Sequence, residues 1–285
     1  MTQTRVLILT LVAMTAFAAN SLLCRVALKQ TSIDAASFTF IRLISGAIAL
    51  WFIVNMRKEE RRPTGSWLSA LALFGYAAAF SFAYLSLSAG TGALLLFGAV
   101  QGTMIIWGLL RGERLGVGQC AGLASALGGL VVLVFPGLSA PPVVGSILML
   151  GAGVAWGIYS LRGKTAGDPA TATAGNFLRA VPLAALLSIA FLPWARLDGA
   201  GIGYAILSGA LASGVGYAIW YTALPGLRAA SAASVQLSVP ILAAAGGMLF
   251  LGESLTLRFL FASVAVLGGI ALVVRENRRD IRPVR

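Results

Sequence analysis

Nearly uncharged stretches of about 20 apolar residues recur down this chain with only short polar breaks between them, and that pattern leaves few ways to fold. The hydrocarbon core of a bilayer is about 30 Å thick, so a helix of about 20 apolar residues crosses it with its backbone groups bonded internally. Ten such stretches can be laid along the sequence, at about 6–23, 35–54, 67–87, 91–110, 118–135, 143–161, 172–192, 201–222, 229–251 and 257–274. Strands of a membrane barrel would be about 10 residues long and strictly alternating, which these uniform runs are not. Only 11% of the residues are charged, too few to cover a water-facing surface, so lipid is the solvent for most of the chain. The first run contains Ala16-Phe17-Ala18, which looks like a signal-peptide cleavage site. It is nevertheless expected to stay as the first helix of the fold.

In a soluble protein a net charge of +12 would point to nucleic acid, but here the Lys and Arg side chains fall in the breaks, where they orient the chain. With the N-terminus in the cytoplasm, 15 basic residues fall in inside segments, against Arg25, Lys29, Arg196 and Arg258 outside. Both termini are therefore expected in the cytoplasm, as an even number of spans requires. Nucleic acid is not expected as a partner. Cys24 and Cys120 lie in or at the end of apolar runs and read as packing residues. There is no histidine, so a metal site or a Ser-His-Asp triad has almost nothing to be built from, and no cofactor is expected.

The chain also contains itself twice. The stretch from Thr91 to Val134 returns in degraded form 140 positions later, from Ser231 to Val274. Its landmarks are Gly112-Glu113-Arg114-Leu115 and Leu127-Gly128-Gly129 in the first copy, and Gly252-Glu253-Ser254-Leu255 and Leu267-Gly268-Gly269 in the second. Residues 1–141 and 142–285 then hold five spans each, an odd number, so the second half enters the membrane upside down. The expected fold is an all-α membrane protein of ten transmembrane helices, arranged as two inverted five-helix repeats around a central cavity. Inverted halves place a site at mid-membrane and allow openings of similar energy to either side, which suits an alternating-access carrier. A channel, an assembly factor or a membrane-embedded enzyme are the rivals; the missing histidines and intramembrane acids oppose the enzyme.

Several motifs carry a family likeness: Ala155-Trp156-Gly157 in the sixth span, Ile41-Arg42 and Leu178-Arg179 in the second and seventh, Pro240 in the ninth, and the two Gly-Glu turns. Taken in order and in duplicate, they make the whole chain resemble the drug/metabolite transporter superfamily, and within it the ten-helix EamA-type exporters. The first half departs from that pattern, with Phe17-Ala18-Ala19-Asn20 where a Trp-Gly is usual and Val100 where a Pro is usual. The resemblance implies export of small metabolites from the bacterial cytoplasm across the inner membrane. It is closest to the aromatic amino acid exporters, with broad-specificity drug or metabolite export as the alternative within the same fold. It implies a small-molecule substrate and a lipid bilayer as partners, and a monomer is compatible with this architecture.

Polar side chains at mid-membrane need a partner or a wet cavity. Gln101, Asn20 and Gln236 are therefore candidates for a pocket wall, or else for interhelical hydrogen bonds. Tyr76, Phe80 and Tyr84 share one face of the third helix, and Tyr217, Trp220 and Tyr221 cluster in the eighth span. Phe97, Trp156, Tyr159 and Tyr217 could line a ring-accepting cavity; the other reading of such stripes is packing or an interfacial belt. Arg42 and Arg179, the only charges well inside spans, have either a structural role or capture a substrate carboxylate, the latter stronger for Arg179 because Pro182 is near. Pro182 and Pro240, with Pro225, are either gating bends or static kinks. Glu113 and Glu253 are expected to cap helix ends. No carboxylate lies at the middle of any span, which favours facilitated movement over a proton relay.

Overall fold

A computed structural model describes residues 2–56, 64–112, 115–137, 140–163, 168–227, 232 and 235–276. Among these residues the chain is helical and holds no strand. The helices are α1 (Gln3–Gln30), α2 (Ala35–Met56), α3 (Trp67–Tyr84), α4 (Ala89–Leu110), α5 (Val117–Val134), α6 (Val143–Gly163) and α7 (Pro169–Ala190). They are followed by α8 (Gly199–Ile206), which passes through a π-helical segment (Leu207–Val215) into α9 (Gly216–Ala223), and then by α10 (Ser238–Leu251) and α11 (Leu257–Glu276). Among the described residues nine helices, counting α8 to α9 as one, are long and apolar enough to cross a bilayer.

Two spans differ from the sequence expectation. The ninth was expected over 229–251, but α10 has 14 residues, about 21 Å at 1.5 Å per residue. Helical residues 235 and 236 precede it across a turn at Leu237, and residues 228–231 and 233–234 lie outside the described chain. The eighth was expected as a plain helix, yet its middle nine residues form wide π turns. Small side chains at Ser208, Gly209, Ala210, Ala212, Ser213 and Gly214 leave room for that geometry, which is uncommon beyond a single turn.

Local chemistry explains where the helices start and stop. Ser66, Ser88, Asp168 and Asp198 accept the orphan N–H groups of Ser69, Thr91, Ala170 and Gly201 at four helix N-termini. The repeated Gly-Glu landmark has a backbone cause. Gly112 and Gly252 take φ of 90° and 63° just past α4 and α10, a left-handed turn that side chains strain to adopt. Glu253 does cap a helix, though in the other half of the chain: its Oε2 accepts the Ala89 N–H of α4 at 2.8 Å, while Thr256 serves α11. Glu113 lies outside the described residues.

Packing repeats under exchange of the halves. The pairing of α3 with α6 has its image in α1 with the α8–α9 span, and that of α4 with α6 in α1 with α10. Contacts of α3 with α7 mirror those of α2 with the α8 and π segments, while α2–α7 and α5–α11 are their own images. That is the pattern of a two-fold relation between five-helix repeats. The centre is filled by side chains such as Phe38, Phe80, Tyr84 and Phe177, and large apolar residues such as Leu7, Trp67, Phe250 and Phe261 face outward, as lipid contact demands.

Candidate functional site

Five helices, three from the first repeat and two from the second, bring aromatic rings to the middle of the bundle. Trp156 of α6 is the hub. Its ring centroid lies 4.8 Å from Tyr76 of α3, 5.0 Å from Tyr217 of α9 and 5.3 Å from Tyr159, stacked on the last. Phe17 of α1 meets the edge of Tyr217 at 5.7 Å, and Phe80 stands 5.3 Å from Tyr76. Phe17, Tyr76, Phe80, Trp156 and Tyr217, with Phe97 of α4, line a cavity of about 20 Å³ that also touches Asn20 and Ser21. That is room for about one water, so in this conformation the hollow is too small for a solute, which must widen it to enter.

A chain of polar groups backs the cavity. Ser208 of the π segment donates to Asn20 Oδ1 at 2.7 Å, and Asn20 Nδ2 donates to the Tyr76 hydroxyl at 3.3 Å. The same hydroxyl accepts Arg42 Nη2 at 3.1 Å, and Nη2 also reaches Ser213 Oγ at 3.5 Å. The Arg42 guanidinium lies 4.8 Å from the centroid of Phe80 and 5.2 Å from that of Tyr76. Ser208 and Ser213 are five residues apart, one π turn, so the unusual helix presents both hydroxyls to one network.

The structure gathers Asn20, Phe97, Trp156 and Tyr217 around the hollow and leaves the other sequence candidates off its wall. Gln101 is buried one turn beyond Phe97. Tyr84 meets Phe80 edge to face at 4.7 Å, donates to the Ala89 carbonyl at 3.2 Å and packs on Gly92. Tyr159 stands behind Trp156 and accepts Asn176 Nδ2 at 3.5 Å. Gln236 is half-buried in the short stretch before α10. Arg179 points to the bundle end, where it donates to the Thr64 and Gly175 carbonyls. Pro182 lies inside an unbroken α7, whereas Pro240 falls in the first turn of α10, where its missing N–H is an orphan anyway. Phe17, Ser21, Tyr76, Phe80, Arg42, Ser208 and Ser213 complete the site. The Tyr76–Phe80 face and Arg42 were visible as motifs, but nothing in the sequence marked the two serines.

Hydrogen bonds between the repeats close both ends of the bundle. At one end Asp34 and Asp198 work reciprocally: Asp34 takes N–H groups of Ala36, Ser37 and Arg196, and Asp198 takes those of Gly201 and Ser32. Burial alone would raise the Asp34 carboxyl, but these donors outweigh it and hold it below the usual range. The donors at Gly201 and Ser32 lower Asp198 to about 2. Close by, Arg25 Nε pairs with Glu253 Oε1 at 3.1 Å. At the other end Thr64 N bonds Thr171 O at 3.2 Å, Ser66 N bonds Asn176 Oδ1 at 2.9 Å and Arg162 Nε bonds Ser69 Oγ at 3.0 Å.

Comparison with known proteins agrees with this architecture. An uncharacterised protein of Pseudomonas aeruginosa is 61% identical, over 95% of this chain and 94% of its own. An uncharacterised transporter of Archaeoglobus fulgidus is 25% identical, over 92% and 95%. The threonine/homoserine exporter RhtA of Escherichia coli is 37% identical over 48% of each chain. A solved crystal structure covers 98% of this chain and all of its own with a TM-score of 0.67 at 20% identity, a likeness of fold alone. The sequence matches the EamA-like transporter family twice, over residues 4–135 and 143–275. With two matches that tile nearly the whole chain and a fold built of two exchanged repeats, this protein belongs to the EamA-like transporter family.

Proposed function

We propose that the protein exports amino acids from the bacterial cytoplasm across the inner membrane, by alternating access between the repeats at 1–141 and 142–285. The single observation that carries this reading is the narrow mid-bundle hollow, to which both repeats contribute rings and hydrogen-bonding groups. Opening either set of end contacts would expose it to one side at a time. The apolar rings favour solutes with aromatic side chains, and the positive charge in the breaks supports cytoplasmic termini. The partial likeness to a threonine/homoserine exporter favours a second reading, export of small hydroxylated amino acids.

Counterflow into proteoliposomes tests both. Vesicles loaded with unlabelled phenylalanine, tyrosine, tryptophan, threonine or homoserine are given the labelled compound outside. A carrier accumulates label transiently and saturably, which a pore cannot do. Counterflow with the aromatic set supports the first substrate, with threonine and homoserine the second. A passive leak, or no exchange with any of the five, refutes amino acid export.

A further inference from the structure

Arg42 is the only charged side chain among the buried described residues, 2% exposed and a third of the way along α2. A charge at that depth is costly unless a counter-charge meets it. No acidic residue lies within any apolar run, and among the described residues none reaches Arg42. Among the described residues Asp34, Asp168 and Asp198 are committed to helix N-termini and Glu253 to Arg25. Of the guanidinium's nitrogens, Nη2 is held by two hydroxyls, while Nη1 is buried with no hydrogen-bond partner. A buried donor of a charged group left without an acceptor is rare in folded proteins and calls for an explanation.

We infer that Arg42 receives the carboxylate of the carried solute, with the hydroxyls of Tyr76 and Ser213 beside it and the solute's side chain in the ring cavity. Tyr76 and Phe80 both line the cavity and lie against the guanidinium, their ring centroids 5.2 and 4.8 Å from its carbon, and Ala212, next to Ser213, also lines the cavity. The guanidinium and the hollow therefore share Tyr76 and Phe80 as neighbours. A carboxylate there supplies the absent counter-charge and accepts from Nη1 in the fork geometry that guanidinium favours. This inference rests on the cavity being the solute site.

The test is equilibrium binding to the purified full-length chain, followed by its tryptophan fluorescence, with three probes. L-phenylalanine and 3-phenylpropionate carry a carboxylate; L-phenylalaninamide keeps the ring and amine without it. Wild type is expected to bind both acids and to bind the amide at least about tenfold more weakly, the scale of one lost buried charge-assisted contact. Arg42→Gln is expected to bind acids and amide alike, and Arg42→Lys to keep part of the preference, since it retains charge but not the fork. Should Arg42→Gln not fold, Arg42→Lys and Ser213→Ala carry the comparison, each expected to narrow the acid–amide ratio. Trp156→Ala is expected to weaken all three probes while the ratio survives. Equal binding of acid and amide by wild type, binding of none of the probes, or an undiminished preference in the Arg42 variants overturns the inference. The vesicle counterflow panel judges amino acid export separately, so normal counterflow by Arg42→Gln would sink the carboxylate site and leave that reading standing.

Discussion

Gly268 and Gly269 are neighbours in sequence, yet a methyl group added to each is expected to have opposite effects. At Gly268 a Cβ would meet nothing within 4 Å; at Gly269 it would press on the Gly122 carbonyl oxygen and stand 2.8 Å from the Ala126 nitrogen, both main-chain atoms of α5. Neither atom can rotate aside, so α5 and α11 must separate. Overfilling a packed contact costs about 1–3 kcal/mol, and rigid backbone on the far side places this site at the upper end. Replacing a helical glycine by alanine returns about 0.5–1 kcal/mol wherever there is space. Gly269→Ala should thus destabilise by about 2 kcal/mol and Gly268→Ala stabilise by up to about 1 kcal/mol. The first repeat offers a matched pair: a Cβ at Gly128 would meet nothing within 4 Å, and one at Gly129 would stand 2.8 Å from Ala265 Cβ and 3.1 Å from the Ala262 carbonyl oxygen. Reversible unfolding in mixed micelles, titrated with dodecyl sulfate, would measure all four variants. Equal responses at 268 and 269, or a reversed order, would refute the α5–α11 pairing and with it the exchange symmetry of the repeats.

Trp156→Ala, and Gln101→Ala more weakly, should lower counterflow while leaving membrane insertion intact; normal transport by both would place the pocket elsewhere. Glu253→Gln removes the charge opposite Arg25 and weakens the cap on Ala89, and at this partly exposed pair a loss of about 1–3 kcal/mol is expected in the same unfolding assay. The Asp34–Asp198 clasp should be indifferent to pH between about 5 and 8. Both carboxyls lie below the usual value of 3.8, so their contribution is present above that pH and lost as pH falls through the folded values, about 2 for Asp198. Amide exchange at Ser32, Arg196 and Gly201, corrected for its intrinsic pH dependence, should therefore lose protection only below about pH 4. Loss of protection at pH 6 would show that other groups hold these loops.

How much of this was legible beforehand depends on the distance over which each feature is encoded. Span number, the doubled plan and the family likeness follow from apolar runs and from Gly112 and Gly252, because bilayer thickness and left-handed turns act on a single stretch of chain. Asn20, Trp156 and Tyr217 could likewise be picked out, since polar and aromatic groups at mid-span are costly or directional wherever they end up. Arg179 and Arg42 show the limit. They occupy matching places in the two repeats, yet Arg179 finds carbonyls at the bundle end and Arg42 is enclosed by rings with one nitrogen unpaired. No local rule separates them, because the difference lies in which helix passes alongside.

The sequence by itself determined that the chain is a bilayer-spanning, internally duplicated bundle, because hydrophobic length and small-residue turns are properties of contiguous residues. The tertiary structure alone decided that Ser208 and Ser213 share a network with Asn20, Tyr76 and Arg42, and that the hollow is narrowed to about 20 Å³. Those facts depend on a π-helical register and on close approach of α2 at Gly46 and Gly209, which only the packing of distant segments sets.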